Sequence, residues 1–382
     1  MAQLNLSNSK IIFPKKGIME EKNVRIVDGT ISEIGDGSNF GNEDQTIDLN
    51  GCYLSPGFID LQVNGAGGVD FLTCEVDDLE QASEFLLAHG TTSFLGTIIT
   101  QPLKSMNAAV NRLLEGDVNN LLGIHLEGPF LSSIERGTHN PDHVVEPDRD
   151  SFQTIIGDNG EDIRLFTFAP ELEKSKDLLR WVQSIQALPS IGHSKASYEE
   201  IQEFLDLGVY SFTHLFNGMK NFHHRNPGPV GAALNSNAYV GIIADGQHLH
   251  PATVKLVENT KDSELIYLVT DAIAAAGMDE GRYVLGDQVI IVNDRLARLE
   301  NGTIAGSTLT LERAVGNYME FTGASLVDAV KTVTVNPARL LGMKEEIGTM
   351  AIGSKADLVV FDRNLEIKYT IIDGEVVYDG EC

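Results

Sequence analysis

LPSIGHSKASYEEIQEFLDLGVYSFTHLFNGM, residues 188–219, holds the unit on which the fold turns. Its first apolar run, 188–193, is too short for a buried helix and ends on His193, so it reads as a strand. Ser197-x-x-Glu200 then opens an amphipathic stretch, 197–208, with the form of a capping box, and Gly208 closes it. A second apolar run, 209–214, ends on His214. Strand, helix and strand in this order join parallel strands, and each strand delivers a histidine where it gives out.

Working outward, six more runs have the same character, near 55–63, 93–99, 121–127, 164–169, 239–244 and 265–270. Amphipathic segments separate several of them: 77–90, which starts on acids and ends on Gly90; 172–187; and 251–259, with Pro251 in the first turn. Sustained alternation favours a parallel α/β architecture, and a count of eight strands favours a (β/α)8 barrel. The two ends differ. VRIVDGTISEIGDG (24–37) reads as a hairpin through Asp28-Gly29, and IIDGEVVYDG (371–380) as one through Asp373-Gly374. The expected organisation is a small β-sandwich built from residues 1–53 and 343–382, flanking a catalytic barrel of residues 54–342.

Glu127 ends LLGIHLEGPF (121–130) and Asp271 ends LIYLVTDA (265–272), so they join His193 and His214 at strand ends. In a (β/α)8 barrel those ends build the active site. Two imidazoles and a carboxylate hold a divalent cation and leave a position open, and a further Asp can take a proton from water. The residues by themselves point to a metal-assisted hydrolase.

Composition narrows the partners. A net charge of −27 repels phosphate-rich surfaces, which argues against nucleic acid or an anionic membrane as partner. MAQLNLSNSK lacks the apolar core of a signal peptide, and no uninterrupted apolar stretch approaches ~18 residues. Cys52, Cys74 and Cys382 share no metal-type spacing and read as free thiols of a reducing compartment, so a cytoplasmic protein is expected. Against the acidic background, KNFHHR (220–225) concentrates basic and protonatable groups.

PGFIDLQVNGAGG (56–68), HLEGPF (125–130), GTHNPDH (137–143), IGHS, THLFNGM, ADGQH (244–248), TDA and IGSKADLVVFD (352–362) together resemble the N-acetylglucosamine-6-phosphate deacetylases of the amidohydrolase superfamily. The motifs run in order along nearly the whole chain. The resemblance implies a (β/α)8 barrel with a terminal β-sandwich. It implies Glu127, His193 and His214 as ligands of one divalent ion per subunit (Zn²⁺ first, with Fe²⁺, Co²⁺ or Mn²⁺ as alternatives), and Asp271 as acid/base. It places His139 at the scissile carbonyl. Thr138, Asn217, Gly218 and the loop IAGSTLT (304–310), with Ile304, Ala305 and Gly306, contact the sugar in this reading, while Arg225 and His248 serve the phosphate end. A small sugar phosphate is the implied substrate and a homodimer or larger homo-oligomer the implied assembly, with part of the phosphate site coming from a neighbouring subunit.

The chain departs from the wider superfamily in one informative place. Gln62-x-Asn64 stands where many amidohydrolases carry His-x-His, and the fourth strand ends in FTFAPE (166–171) without a bridging lysine. Neutral amides are poor transition-metal ligands, so a single ion is expected. NGAGG (64–68) lacks the Lys-Ser/Thr of a P-loop and reads as a tight turn. His125, two residues before Glu127, shares its strand face and reads as interior support. His89 suits a helix end, and His143, His223, His224 and His250 read as surface loop residues. Two other functions fit the same motifs: deacetylation of the galactosamine epimer, and a non-catalytic binder of amino-sugar phosphates, which the intact Asp271 and ligand set disfavour.

Overall fold

The computed structural model describes residues 3–36 and 45–380. Eight parallel strands pair in sequence order: β1 (Phe58–Val63), β2 (Thr91–Ile99), β3 (Leu121–Glu127), β4 (Ile163–Phe168), β5 (Leu188–Ile191), β6 (Ser211–Phe212), β7 (Tyr239–Ile242) and β8 (Ile266–Leu268). A helix follows each: α1 (Leu79–Ala88), α2 (Leu103–Glu115), α3 (Arg149–Ile156), α4 (Ser175–Ser184), α5 (Tyr198–Asp206), α6 (Gly228–Leu234), α7 (Pro251–Thr260) and α8 (Leu311–Thr322). The barrel is nearly closed where β1 meets the chain beyond β8. There Asp271 N donates to Gln62 O at 2.9 Å and Asn64 N to Ala272 O at 2.7 Å.

Local chemistry accounts for the pieces. Ser197 and Glu200 form the expected capping box at the start of α5, which satisfies two backbone donors that the helix cannot. On α2, Met106, Ala109, Val110 and Leu113 are buried; this i, i+3, i+4, i+7 spacing turns one stripe onto the strands. The barrel interior carries a buried polar layer as well. His125 contacts Thr97 Oγ1 at 3.3 Å and Thr167 Oγ1 at 2.8 Å, and hydroxyl contacts continue through Thr213, Ser190 and Ser211 to Tyr267. His125 is thus interior support, and burial pushes its imidazole down to about 4.

The strands stop earlier than their apolar runs. β5, β6 and β8 end before His193, His214 and Asp271, and those three residues take φ of 45°, 30° and 50°. Left-handed backbone is unfavourable for any residue with a Cβ, by roughly 1–2 kcal/mol. Here it turns the chain out of the barrel while leaving each side chain over its mouth.

Strands from both ends of the chain, between residues 3–56 and 358–379, form one eight-stranded sheet by hydrogen bonding. The sequence leads to a small sandwich, and the strands do wrap one core, formed by Leu6, Ile11, Val24, Ile26, Leu54, Leu358 and Ile371 among others. Both hairpins turn where expected, with left-handed φ at Asp28-Gly29 and Asp373-Gly374. Among the described residues Cys52 and Cys74 are not joined in a disulfide, and Cys382 lies outside those residues.

Between β8 and α8 a four-stranded antiparallel sheet is inserted: Gly281–Leu285, Gln288–Asn293, Leu296–Leu299 and Ile304–Ser307. The stretch 304–310, expected as a loop, therefore begins as a strand. Its partner Leu296–Leu299 supplies the pairing, and Leu285, Ile290, Val292, Ala297 and Ala305 bury a small core together with Ile99, Ile273 and Ala275. Among the described residues no helix is long and apolar enough to cross a membrane.

Candidate active site

Glu127, at the last position of β3, projects into the barrel mouth with 3% of its surface exposed. Its Oε1 lies 2.9 Å from His193 Nε2 and 2.8 Å from His214 Nε2, and the two imidazole nitrogens are 3.1 Å apart. Burial alone would raise the Glu127 carboxyl, but the imidazoles of His139, His193 and His214 hold it well below the ordinary range. Burial, with His139 beside it, pushes His193 down to about 4. At His214 burial acts in the same sense, but contact with Glu127 outweighs it and leaves the pKa raised.

The tautomers show what such a cluster can hold. His193 Nδ1 sits 3.0 Å from the carbonyl oxygen of Glu135. That oxygen can only accept, so Nδ1 carries the hydrogen of the neutral ring. His193 Nε2 is then a bare lone pair aimed at an ionised carboxylate 2.9 Å away. Two acceptors at that distance repel unless a cation lies between them, and two imidazoles with one carboxylate are a suitable donor set for a single divalent ion.

His139 arrives on the loop after β3. Glu127, His139 and His193 also lie within metal-binding reach of one another. The amide of Thr100 donates to His139 Nδ1 at 3.3 Å, however. The hydrogen of a neutral His139 ring is thereby on Nε2, which faces the cluster 3.3 Å from His193 Nε2. That atom is a donor, suited to an oxygen that becomes negative rather than to a metal.

Asp271 faces the cluster from beyond β8. Its Oδ1 accepts from Asn64 Nδ2 at 2.7 Å and Gln62 Nε2 at 3.2 Å. The two amides that replace histidines on β1 therefore hold this carboxylate and leave Oδ2 for a proton. Burial, then the charge of Glu127, pushes Asp271 up to about 6. One strand repeat below Gln62, Asp60 is fully buried. It accepts from Thr270 Oγ1 at 2.6 Å, Thr270 N at 3.3 Å and Gln62 N at 3.1 Å, and burial raises it to about 7.

Glu127, its three histidines, Asn64 and Asp271 line a cavity of about 250 Å³ that also takes in Thr138, Asn217, Gly218, His248, Ile304 and Gly306. His248 is pinned by Asp245, whose carboxylate accepts from His248 N at 2.8 Å and meets His248 Nδ1 at 2.7 Å. Gly218 has φ +56°, and a Cβ there would stand 2.4 Å from His193 Nδ1, so only glycine lets this loop pass the His193 ring. Ala305 is brought close but turned away: strand alternation points Ile304 and Gly306 at the cavity and buries Ala305 in the inserted sheet. Arg225 is not brought in. It is exposed, with Nη1 2.7 Å from His224 Nε2.

Sequence reasoning missed several members. Ile99, Gly137, Leu285 and Thr303 also line the cavity. Glu171 binds the His193 loop, accepting from Ser194 Oγ and Lys195 N, both at 2.7 Å. It ends the quoted FTFAPE run, so its place at a strand end was the available signal.

Comparison with known proteins agrees with this geometry. Residues 53–377 match the model of the amidohydrolase family. N-acetylglucosamine-6-phosphate deacetylase from Bos taurus is 36% identical over 354 residues, covering 88% of this chain and 86% of its own. The crystal structure of N-acetylglucosamine-6-phosphate deacetylase from Thermotoga maritima superposes with a TM-score of 0.89 at 36% identity, covering 98% of this chain and 100% of that one. A mutant of the Mycobacterium smegmatis enzyme in complex with N-acetyl-D-glucosamine-6-phosphate gives a TM-score of 0.92 at 29% identity, over 99% and 100% of the two chains.

Proposed function

The chain belongs to the amidohydrolase family, and from that premise we propose how its own residues act as an N-acetylglucosamine-6-phosphate deacetylase. The reaction is hydrolysis of the acetamide to glucosamine 6-phosphate and acetate. The observation that carries it is the convergence of Glu127, His193 and His214 within 3.1 Å, with Asp271 facing them from β8.

Glu127, His193 and His214 would hold one divalent ion, for which Zn²⁺ is our choice. When bound, such an ion supplies Lewis acidity, bringing the pKa of water towards ~7 and polarising a carbonyl. Asp271 Oδ2 takes a proton from the attacking water as its oxygen adds to the acetamide carbon. His139 Nε2–H donates to the oxygen that becomes negative, an interaction of about 3–4 kcal/mol for a well-placed donor. Asp271 then returns the proton to nitrogen as the C–N bond breaks, giving acetic acid and the free amine; a proton passes from the acid to the amine, and acetate and the ammonium form of the sugar leave. Gln62 and Asn64 keep the carboxylate aimed throughout.

His248, held by Asp245, stands at the phosphate end of the cavity in this reading, with Asn217 and Gly218 against the sugar. Arg225 is exposed outside its own cavity. That placement supports its gripping the phosphate in a neighbouring copy, in a homodimer or larger assembly. The division into a terminal β-domain (1–53 and 343–382) and a catalytic barrel (54–342), and a cytoplasmic location, go with the same proposal.

The test is acetate release from N-acetylglucosamine 6-phosphate, its galactosamine epimer and unphosphorylated N-acetylglucosamine, before and after chelation and Zn²⁺ restoration. We expect fast, metal-dependent release from the glucosamine phosphate. Release chiefly from the epimer would move the substrate assignment, and none from metal-loaded protein would overturn it.

A further inference from the structure

The inserted sheet is tied to the site at both ends. At its last strand, Ser307 N donates to Asp271 O at 2.8 Å and Ser307 Oγ to Thr270 O at 2.5 Å. Its first hairpin, 281–293, turns at Gly286-Asp287 and reaches the loops after β1, β2 and β3. Gly286 N donates to Asp70 Oδ2 at 3.2 Å. The Asp287 carboxylate accepts from Gln101 Nε2 at 3.0 Å and Asn140 Nδ2 at 2.7 Å, and meets His143 Nε2 at 3.3 Å. The neighbouring Gln288 donates through Nε2 to Thr138 O.

These contacts fall where catalysis is sensitive to position. Thr138, His139, Asn140 and His143 share one loop, and Leu285, Ile304 and Gly306 of the insert line the cavity. Within its own loop His139 is held through Arg136, its amide donating to Arg136 O at 3.1 Å and its carbonyl accepting from Arg136 Nη1 at 2.6 Å, while the amide of Thr100 holds its ring. The insert supplies the bracing from the far side. Burial would raise the Asp287 carboxyl, yet Gln101, Asn140 and His143 outweigh it and hold it below the ordinary range. Its side chain keeps 40% exposure, so water can replace these partners and the contact can open and re-form.

We propose that Asp287 is a positioning residue, a latch that holds the inserted sheet onto the 138–143 loop and thereby keeps His139 in register over the substrate. The proposal rests on the deacetylase reading for its consequence in turnover, but the latch itself is a contact between two segments. With the latch engaged, the sugar phosphate lies between the insert and the metal ligands. With it released, both the cover and the His139 loop are free to shift.

The experiment compares wild type, D287A, N140D and N140D/D287N, each with one metal ion per subunit. D287A removes the acceptor, and N140D sets carboxylate against carboxylate. The double variant restores a donor–acceptor pair of reversed polarity between the same positions. We expect kcat for N-acetylglucosamine 6-phosphate to fall on the order of 10- to 100-fold in both single variants, the scale of a small misplacement at the reacting centre, and to recover in the double variant. Amide hydrogen exchange over 137–143 and 281–292 should quicken in D287A with metal content unchanged. Wild-type kcat in D287A, or wild-type exchange over 137–143, would overturn the latch. No acetate release by wild type would instead overturn the deacetylase reading, while the exchange comparison still decides the latch.

Discussion

His193 Nδ1 is 3.0 Å from the carbonyl oxygen of Glu135, and this one contact decides what the opposite nitrogen can do. A ring fixed in that tautomer turns a lone pair towards Glu127, so the protein without a cation carries an acceptor–acceptor repulsion at its centre. Cation binding at this cluster and the stability of the fold should therefore be linked.

Chelation should lower the melting temperature, and one equivalent of Zn²⁺ should restore it. A ligand at a hundred times its Kd stabilises by about 2.7 kcal/mol. Calorimetry with and without metal checks this, and identical melting in both states would mean that the cluster holds no ion.

Asp271→Asn should bind metal and substrate yet lose turnover by at least ~10²–10⁴-fold, the span assigned to general acid/base catalysis. Burial, then the charge of Glu127, lifts Asp271 to about 6 and sets the acid limb of the wild-type profile. The base must be ionised, so kcat/KM should fall as pH drops below that range. Near-full activity of the variant, or a profile flat through pH 5, removes Asp271 from the proton path.

Asp60 gives a stability prediction of known sign. It is an acid raised from 3.8 to about 7 by burial, so between those values the unfolded chain releases a proton that the folded one keeps. Its stabilising share is full below the unfolded pKa and is lost as pH rises through the folded one. Asp60→Asn keeps an acceptor for Gln62 N and Thr270 N without the charge. The variant should gain on wild type between pH 5 and pH 8, by a few kcal/mol at about 1.4 kcal/mol per tenfold. Denaturant unfolding at both pH values measures it; a difference independent of pH would show that Asp60 stays ionised.

Arg225→Ala should raise KM for the phosphorylated sugar roughly 10- to 100-fold, the loss of a hydrogen bond to a charged group, and leave the neutral sugar unaffected. Equal effects on both sugars would exclude a phosphate role.

What the sequence made legible was whatever a strand end announces. His193, His214, Glu127 and Asp271 close apolar runs, and eight such runs imply a barrel whose strand ends meet. The capping box at Ser197 and the Asp-Gly hairpins are local chemistry, and they form where the residues dictate. The inserted sheet is not legible because its strands are four to six residues long; only 304–310 stands out in the sequence, and there as a loop. Asp287 and Thr100 act on partners distant in the chain, so nothing in their neighbours marks them. Gln62 and Asn64 are legible as non-ligands, but their grip on Asp271 exists only once β1 and β8 are side by side.

The pairing of Pro56 with Leu358 carries a consequence for biosynthesis. The strand Tyr53–Pro56 leaves the ribosome just ahead of β1, yet the partner that covers its edge is made only after the entire barrel. During translation the amino-terminal strands must wait with that edge unpaired, a state open to association with other chains. The barrel can begin to assemble meanwhile, and the terminal sheet closes last. Truncation before residue 358 should therefore strand an otherwise complete catalytic domain beside an open edge, with aggregation rather than lost chemistry as the first symptom.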